Sequence, residues 1–203
     1  MTVRPAARLR RWAGPPVGME PLPPRKKWRA ILAATLVLAV AFWSLMIGLV
    51  ALATDDTDVP EPSGLNAGAA VAFGLALIPF VFVTLAFMSE HPRAPGAVVR
   101  AMLLSVLVGV VVTGFVGDPV TGVVAGVGAG GVAALRRDVD DELRPRVVAV
   151  AVASLYTLVL VYVAGGIVLL PAPIFPFTAI GIADHLSERK AERVRQQPAD
   201  SRD

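Results

Sequence analysis

The chain has 203 residues, 55% of them hydrophobic and 17% charged, no cysteine, and a formal net charge of +3; its mean hydropathy is +0.66 and its pI about 9.8. An ordinary soluble domain carries about 25% charged residues, so the composition argues against one. It also excludes disulfides, cysteine-based metal sites and cysteine nucleophiles.

The charges are segregated. No Asp, Glu, Lys, Arg or His occurs in 31–53, 67–88, 101–117, 119–135 or 147–183. Long uncharged apolar stretches are transmembrane-helix candidates, because about 20 helical residues cross the roughly 30 Å hydrocarbon core. A helix satisfies its own backbone groups where lipid offers no partner, and the alternation of a membrane β-barrel is absent. The expected fold is all-α: a polytopic helical membrane bundle of six transmembrane helices, with both termini cytoplasmic, in the cell membrane.

Residues 1–29 are basic and rich in proline, which forbids a long helix, and read as a disordered cytoplasmic tail; Met19 is a candidate start within it. The first span is placed at about 30–53, with Trp28 as an interfacial aromatic. It is too long for a cleaved signal peptide, despite Ala51-Leu52-Ala53 at its end. The following loop carries Asp55, Asp56, Asp58 and Glu61 and no basic residue, so it is placed outside. A second span, about 66–88, contains the helix-kinking Pro79. Ser89-Glu90-His91-Pro92-Arg93 reads as a rigid cytoplasmic turn.

The third and fourth spans, about 98–116 and 119–135, form a hairpin turned by Gly117-Asp118-Pro119, with Asp118 assigned to turn chemistry. Residues 136–146 read as a charged, solvated connector. The fifth span, about 147–166, and the sixth, about 170–186, are separated by a turn within 164–173, where Gly165-Gly166 and Pro171-Ala172-Pro173 lie. Residues 187–203 form a charged tail. The hairpins 98–135 and 147–184 have equal length, but their residues do not align as a repeat.

Charge tests this threading. It leaves five acidic residues and no basic one outside, and all 19 Lys and Arg inside, as the positive-inside rule requires. Five spans would put the basic C-terminal tail outside. The implied partner of so many basic residues beside apolar spans is the anionic headgroup layer of the cytoplasmic leaflet, and nucleic acid is not expected.

Motifs give less. Gly126-Val-Gly128-Ala-Gly130-Gly131 matches a dinucleotide fingerprint, but it lies in an apolar span and Arg146 occupies the position where an acid is needed. Gly122, Gly126 and Gly130, spaced four apart, instead form a GxxxG helix-packing stripe, with Gly68, Ala72 and Ala76 a weaker one on the second span. His91 and His185 lack the convergent ligands of a metal site, and no cofactor is expected. The modest polar residues Thr84, Thr113, Tyr156 and Thr178 are candidates to line a cavity. The uncharged stretches hold no Asp, Glu, Lys, Arg or His, and such residues within a span mark proton relays and ion-coupled transport.

The segments Ala86 to Val98, Gly130 to Arg136, and Phe175-Pro176-Phe177-Thr178 through Asp184-His185-Leu186-Ser187-Glu188-Arg189 resemble parts of small, uncharacterised polytopic integral membrane proteins of actinobacteria. The resemblance covers about 30–190 and implies a plasma-membrane location. It brings no activity and no functional residues. The functional expectation is a non-enzymatic helix-packing scaffold or accessory subunit, with a membrane-protein partner or a second copy of the chain. The alternative is a small transporter or channel component with a path near the Pro- and Gly-rich fourth and sixth spans.

Overall fold

The computed structural model of the protein describes residues 21–53, 62–138 and 143–196. These form six α-helices: α1 (Pro24–Ala53), α2 (Pro62–Met88), α3 (Ala94–Val116), α4 (Pro119–Ala134), α5 (Leu143–Ala164) and α6 (Phe175–Gln196). Two short 3-10 turns, Gly165–Leu169 and Ala172–Ile174, connect α5 to α6. The fold class is all-α. Four segments are long and apolar enough to cross a membrane: Pro24–Ala53, Asn66–Met88, Ala94–Val116 and Leu143–Leu169. α4 is a shorter apolar helix, and α6 is apolar only through Ala183, beyond which it is charged.

The helix ends follow from local chemistry. α1 and α4 open on Pro24 and Pro119, at the first helical position, where the missing N–H removes no helical bond. Asp118 caps α4: its carboxylate accepts from the backbone N–H groups of Val120 and Thr121 and from the Thr121 hydroxyl. Gly117 closes α3 at φ +74° with its N–H on the Thr113 carbonyl, a left-handed cap that favours glycine. Gly165, at φ +62°, follows the last residue of α5, inside the stretch where the sequence requires a turn. Pro79 lies within α2, which nonetheless runs continuously from Pro62 to Met88.

Two boundaries differ from the sequence reading. The tail assigned to 1–29 is helical from Pro24 onward, because Pro21 and Pro23 precede the helix and Pro24 opens it rather than interrupting it; residues 1–20, Met19 among them, lie outside the described residues. The tail assigned to 187–203 continues α6 to Gln196, since Ser187 to Gln196 contains neither glycine nor proline to stop a helix. The acidic residues 55, 56, 58 and 61 also lie outside the described residues.

α4 is the centre of the bundle. It packs against α2, α3, α5 and α6, and 11 of its 16 residues are buried. The main core joins Ile31 and Leu38 of α1, Phe82 of α2, Val127 of α4 and Phe177 and Ile180 of α6. Glycine allows the close approach. A Cβ on Gly126 would meet the Ser105 carbonyl oxygen of α3 and sit 3.0 Å from the Gly109 Cα; one on Gly130 would sit 2.5 Å from the Phe82 ring. α3 is the opposite case. Only 6% of its apolar window is buried, and Leu103, Val106, Leu107 and Val110 all face outward.

Candidate functional site at the charged end of the bundle

Five helices bring one end, and α6 its middle, to a common layer of charge. α1, α3 and α5 contribute their N-termini, α2 and α4 their C-termini, and α6 its middle. The layer centres on three ionisable side chains that are almost completely enclosed: Arg146 at 0% exposure, Lys27 at 3% and Asp184 at 4%.

Arg146, in the first turn of α5, donates from Nε to Asp184 Oδ1 and from Nη2 to Asp184 Oδ2, both at 2.7 Å. This is the bidentate geometry that a planar guanidinium forms with a carboxylate. The same guanidinium reaches two carbonyls just past the end of α4, Leu135 at 3.5 Å and Arg136 at 3.2 Å. Those oxygens have no intrahelical donor and sit at the negative end of the α4 dipole. One side chain therefore ties α5, α6 and the exit of α4 together.

Lys27 does the same for α1. Its Nζ lies 2.8 Å from Glu188 Oε1, 3.5 Å from Asp184 Oδ2 and 3.7 Å from Asp138 Oδ2. Asp138 in turn accepts from the Leu22 backbone N–H with both oxygens at 3.2 Å and lies 3.5 Å from Arg136 Nε. The Arg136 backbone N–H donates to Ser89 Oγ at 3.0 Å, which joins α4 to the end of α2. At the rim, Glu90 meets Lys26 at 2.6 Å and Arg136 Nη1 at 3.9 Å. Glu90 adopts φ +53° in the turn after α2, and the Lys26 hydrogen bond and charge hold its carboxyl below the usual carboxylate range.

The stretch 136–146 is thus not simply a solvated connector. Arg136 is buried at one end and Arg146 at the other, while residues 139–142 lie outside the described residues. Among the described residues no group of three or more His, Asp and Glu side chains is arranged to hold a metal ion.

Beside this layer a lateral groove of about 490 Å³ runs along the bundle, with α4 as its floor and α3 and α5 as its walls. Ala125, Ala129 and Ala133, spaced four apart, make the floor, and Leu104, Val108 and Val112 one wall. The mouth at the charged end is lined by His91, Arg93, Arg100 and Arg137, and no carboxylate lines the groove among the described residues. His91 Nδ1 accepts from the Arg93 backbone N–H at 3.1 Å. Burial, then the charges of Arg100, Arg136 and Arg93, push the His91 pKa down to about 4. The ring is neutral at physiological pH and carries its proton on Nε2.

A second, shallower groove of about 600 Å³ lies between α5 and α6, with Tyr156, Phe175 and Thr178 in its walls and Lys190 at one end. Tyr156 and Phe175 meet edge to face at 5.4 Å.

The side chains singled out from sequence are therefore dispersed. Tyr156 and Thr178 share the α5–α6 groove, but Thr84 and Thr113 line neither groove. Thr84 and Thr178 direct their hydroxyls to their own helices, at the Phe80 and Ile174 carbonyls, and Thr113 Oγ1 lies against Gly122. Gly122, Gly126 and Gly130 lie in contacts with α2 and α3. Gly68, Ala72 and Ala76 are exposed, and the close α1–α2 approach falls instead at Gly48 and Gly74, where added Cβ atoms would stand 2.8 and 2.7 Å from the Ala67 and Ala41 carbonyl oxygens.

Comparison of the chain with protein-family models, with curated proteins and with solved structures finds no match.

Proposed function

We propose that the protein is a multi-pass plasma-membrane protein of an actinobacterium-like cell, crossing the bilayer six times with both termini in the cytoplasm. In this reading it is a non-enzymatic scaffold or accessory subunit that works by helix contact inside the membrane. The observation that carries the proposal is the contrast between its two ends and flanks. The charged end ties α1, α5, α6 and the exit of α4 together by buried ion pairs, whereas only 6% of the apolar window of α3 is buried by its own chain. A helix packed closely on α4 along one side and open on its outer flank is what a partner helix, or a second copy of the chain, packs against.

Two experiments test it. The chain has no cysteine, so a single one at Thr57 or Ser201 reports topology cleanly: an impermeant thiol reagent on intact cells labels the first and not the second. Labelling at Ser201 overturns the six-crossing topology. A photoreactive residue at Leu103 or Val110 in native membranes gives a discrete protein adduct; no adduct at either site, with normal expression, defeats the scaffold reading.

The transporter or channel reading draws on the interrupted return of the chain from α5 to α6, with Pro171, Pro173 and Pro176 and two 3-10 turns, since broken helices are common around transport sites. Against it weighs the hydrogen bonding of Thr84 and Thr178 to their own helix backbones, which leaves little polar lining for a path.

A further inference from the structure

We infer that the groove between α5 and α6 is the interface of a two-fold dimer of this chain, in which Tyr156 of each copy donates a hydrogen bond at mid-bilayer to Thr178 of the other. The inference rests on the spanning of the bilayer proposed above and on the copies sharing one orientation in it. It does not need the partner surface assigned to α3.

The first observation is an unpaired hydroxyl at depth. Thr35, Thr84, Ser154, Thr157 and Thr178 each donate to a carbonyl one turn back in their own helix, which is how short hydroxyl side chains are satisfied in a span. Tyr156 cannot do this, because a rigid ring separates its hydroxyl from the backbone. The ring meets Phe175 edge to face, the residue is 52% exposed, and among the described residues its hydroxyl has no hydrogen-bond partner. Tyr156 lies about 15 Å beyond Arg146 at 1.5 Å per residue, half of a hydrocarbon core of about 30 Å. At that depth the hydroxyl reaches neither headgroup layer. A hydroxyl left unbonded in hydrocarbon is costly, so a polar group covers it.

The second is complementarity. Thr178 lines the same groove. Its Oγ1 donates its only proton to the Ile174 carbonyl and keeps lone pairs that accept. One groove therefore holds a donor without an acceptor and an acceptor with spare capacity. A two-fold axis along the membrane normal sets residues of equal depth face to face, and two equivalent bonds then satisfy both copies. The depths agree. Thr178 lies about 9 Å from Asp184 along α6, and Asp184 is bonded to Arg146 at 2.7 Å. Side chains lean toward the helix N-terminus, so Tyr156 on α5 leans toward the charged end and Thr178, on the antiparallel α6, leans away from it. The two hydroxyls converge on one level.

The third is shape. Ala149 and Ala153 on α5 and Ala179 and Ala183 on α6 line the groove. Spaced four apart on each helix, they leave a shallow saddle that a helix backbone can approach closely. Val152, Ile182 and Leu186 stand exposed along it. Lys190, the basic residue of its lining, lies about 9 Å past Asp184 along α6, on the aqueous side, where salt screens it from its copy.

The test is energy transfer between full chains labelled at a cysteine introduced at Ser201 and reconstituted in phosphatidylcholine vesicles, followed as the protein is diluted with lipid. The parent dimerises. Tyr156→Phe keeps the ring without the hydroxyl and raises the dissociation constant roughly tenfold, since two interhelical hydrogen bonds are lost at once. Thr178→Val has the same effect, and the double variant is no weaker than either single, because both break the same bonds. Val152→Trp places its bulk on the saddle and abolishes the dimer. In native membranes a photoreactive residue at Val152 captures a second copy.

A parent that stays monomeric at every dilution, an unchanged dissociation constant in Tyr156→Phe and Thr178→Val, additive losses in the double variant, or an intact dimer in Val152→Trp overturns the inference. So does capture of only lipid or a different protein at Val152. Should Val152→Trp fail to insert, Tyr156→Phe decides alone, because it removes a single exposed oxygen. A dimer here with no adduct at Leu103 or Val110 defeats the scaffold surface at α3 and leaves this interface standing; adducts at α3 with a monomeric parent do the reverse.

Discussion

Removing Arg146 is the most informative single perturbation of this fold. In Arg146→Ala two 2.7 Å charge-assisted hydrogen bonds to Asp184 disappear, and the Leu135 and Arg136 carbonyls lose a donor. Asp184 stays buried, with Lys27 Nζ at 3.5 Å as a remaining cation. Breaking a buried pair from one side costs about 3–5 kcal/mol, chiefly because the surviving charge is left in a poor environment. For a chain of this size that corresponds to a fall in Tm of roughly 6–20 °C, using about 2–4 °C per kcal/mol. Asp184→Asn produces a loss of similar order, since it leaves the buried Arg146 guanidinium without its bidentate partner carboxylate. The combination Arg146→Met with Asp184→Leu removes both charges and destabilises less than either single change. It does not recover fully, because the Leu135 and Arg136 carbonyls still lose their donor, at about 1–3 kcal/mol. Arg146→Lys keeps the charge but not the planar fork, and falls between. The assay is thermal unfolding of detergent-purified protein followed by size-exclusion of a fluorescent fusion. If either single variant lies within about 2 °C of the parent, or if the double variant shows the sum of the two singles, the pair does not tie α5, α6 and α4 together as described.

Other consequences can be checked with the same assay. Gly126→Leu lowers stability by at least about 1–3 kcal/mol, because its side chain would enter the Ser105 carbonyl and the Gly109 backbone. Gly68→Leu is near neutral, since nothing lies within 4 Å of an added Cβ there; equal losses in the two variants would refute this packing assignment. Asp118→Ala costs about 1 kcal/mol through loss of the α4 N-cap, and an unchanged Tm would mean that the cap contributes nothing. His91 adds a pH dependence. Its folded pKa, depressed to about 4 from 6.5, means that the unfolded chain binds more protons between those values, so His91 makes stability fall as pH drops from 6.5 toward 4 and has no effect above. His91→Gln flattens that part of the Tm profile; an identical slope in the variant would show that the ring is not held neutral. Glu90, whose pKa is lowered, acts in a different window, its contribution being lost only as pH falls below 4.5.

The helical architecture was readable from sequence because lipid-compatible helices announce themselves by uncharged length. Gly117-Asp118-Pro119 and Gly165 were readable because turn chemistry is local: φ beyond zero at Gly117 and Gly165 and a cap at Asp118 need no tertiary partner. The ion-pair layer was not readable. Arg146 and Asp184 are 38 residues apart, and Lys27 and Glu188 are 161 apart. Each sits in a run of charge that looks solvated when read along the chain. Only helix packing brings α1, α5 and α6 into register and encloses them. The exposed state of Gly68, Ala72 and Ala76 has a similar cause. Spacing by four identifies a face that permits close approach, yet it does not say which face the neighbour takes, and α1 takes the one containing Gly74. The groove escaped for a related reason: its alanine floor belongs to a helix whose other faces are also small, so no single stripe distinguishes it.

The buried layer also changes how the one-sided basic charge is understood. Among the described residues, Lys26, Lys27, Arg136 and Arg146 pair there with Glu90, Asp138, Asp184 and Glu188, so cations and carboxylates balance in those pairs. The positive-inside rule counts Lys and Arg and gives acids little weight, because orientation is set during insertion, before tertiary ion pairs exist. Under the proposed topology all 19 basic residues therefore bear on orientation, while the cations paired in the layer also hold the folded helices together. The two roles separate experimentally. Asp184→Asn adds a positive charge to the layer and damages stability, yet leaves the labelling of cysteines at Thr57 and Ser201 unchanged. Altered labelling in Asp184→Asn would mean that the buried pairs help to set orientation.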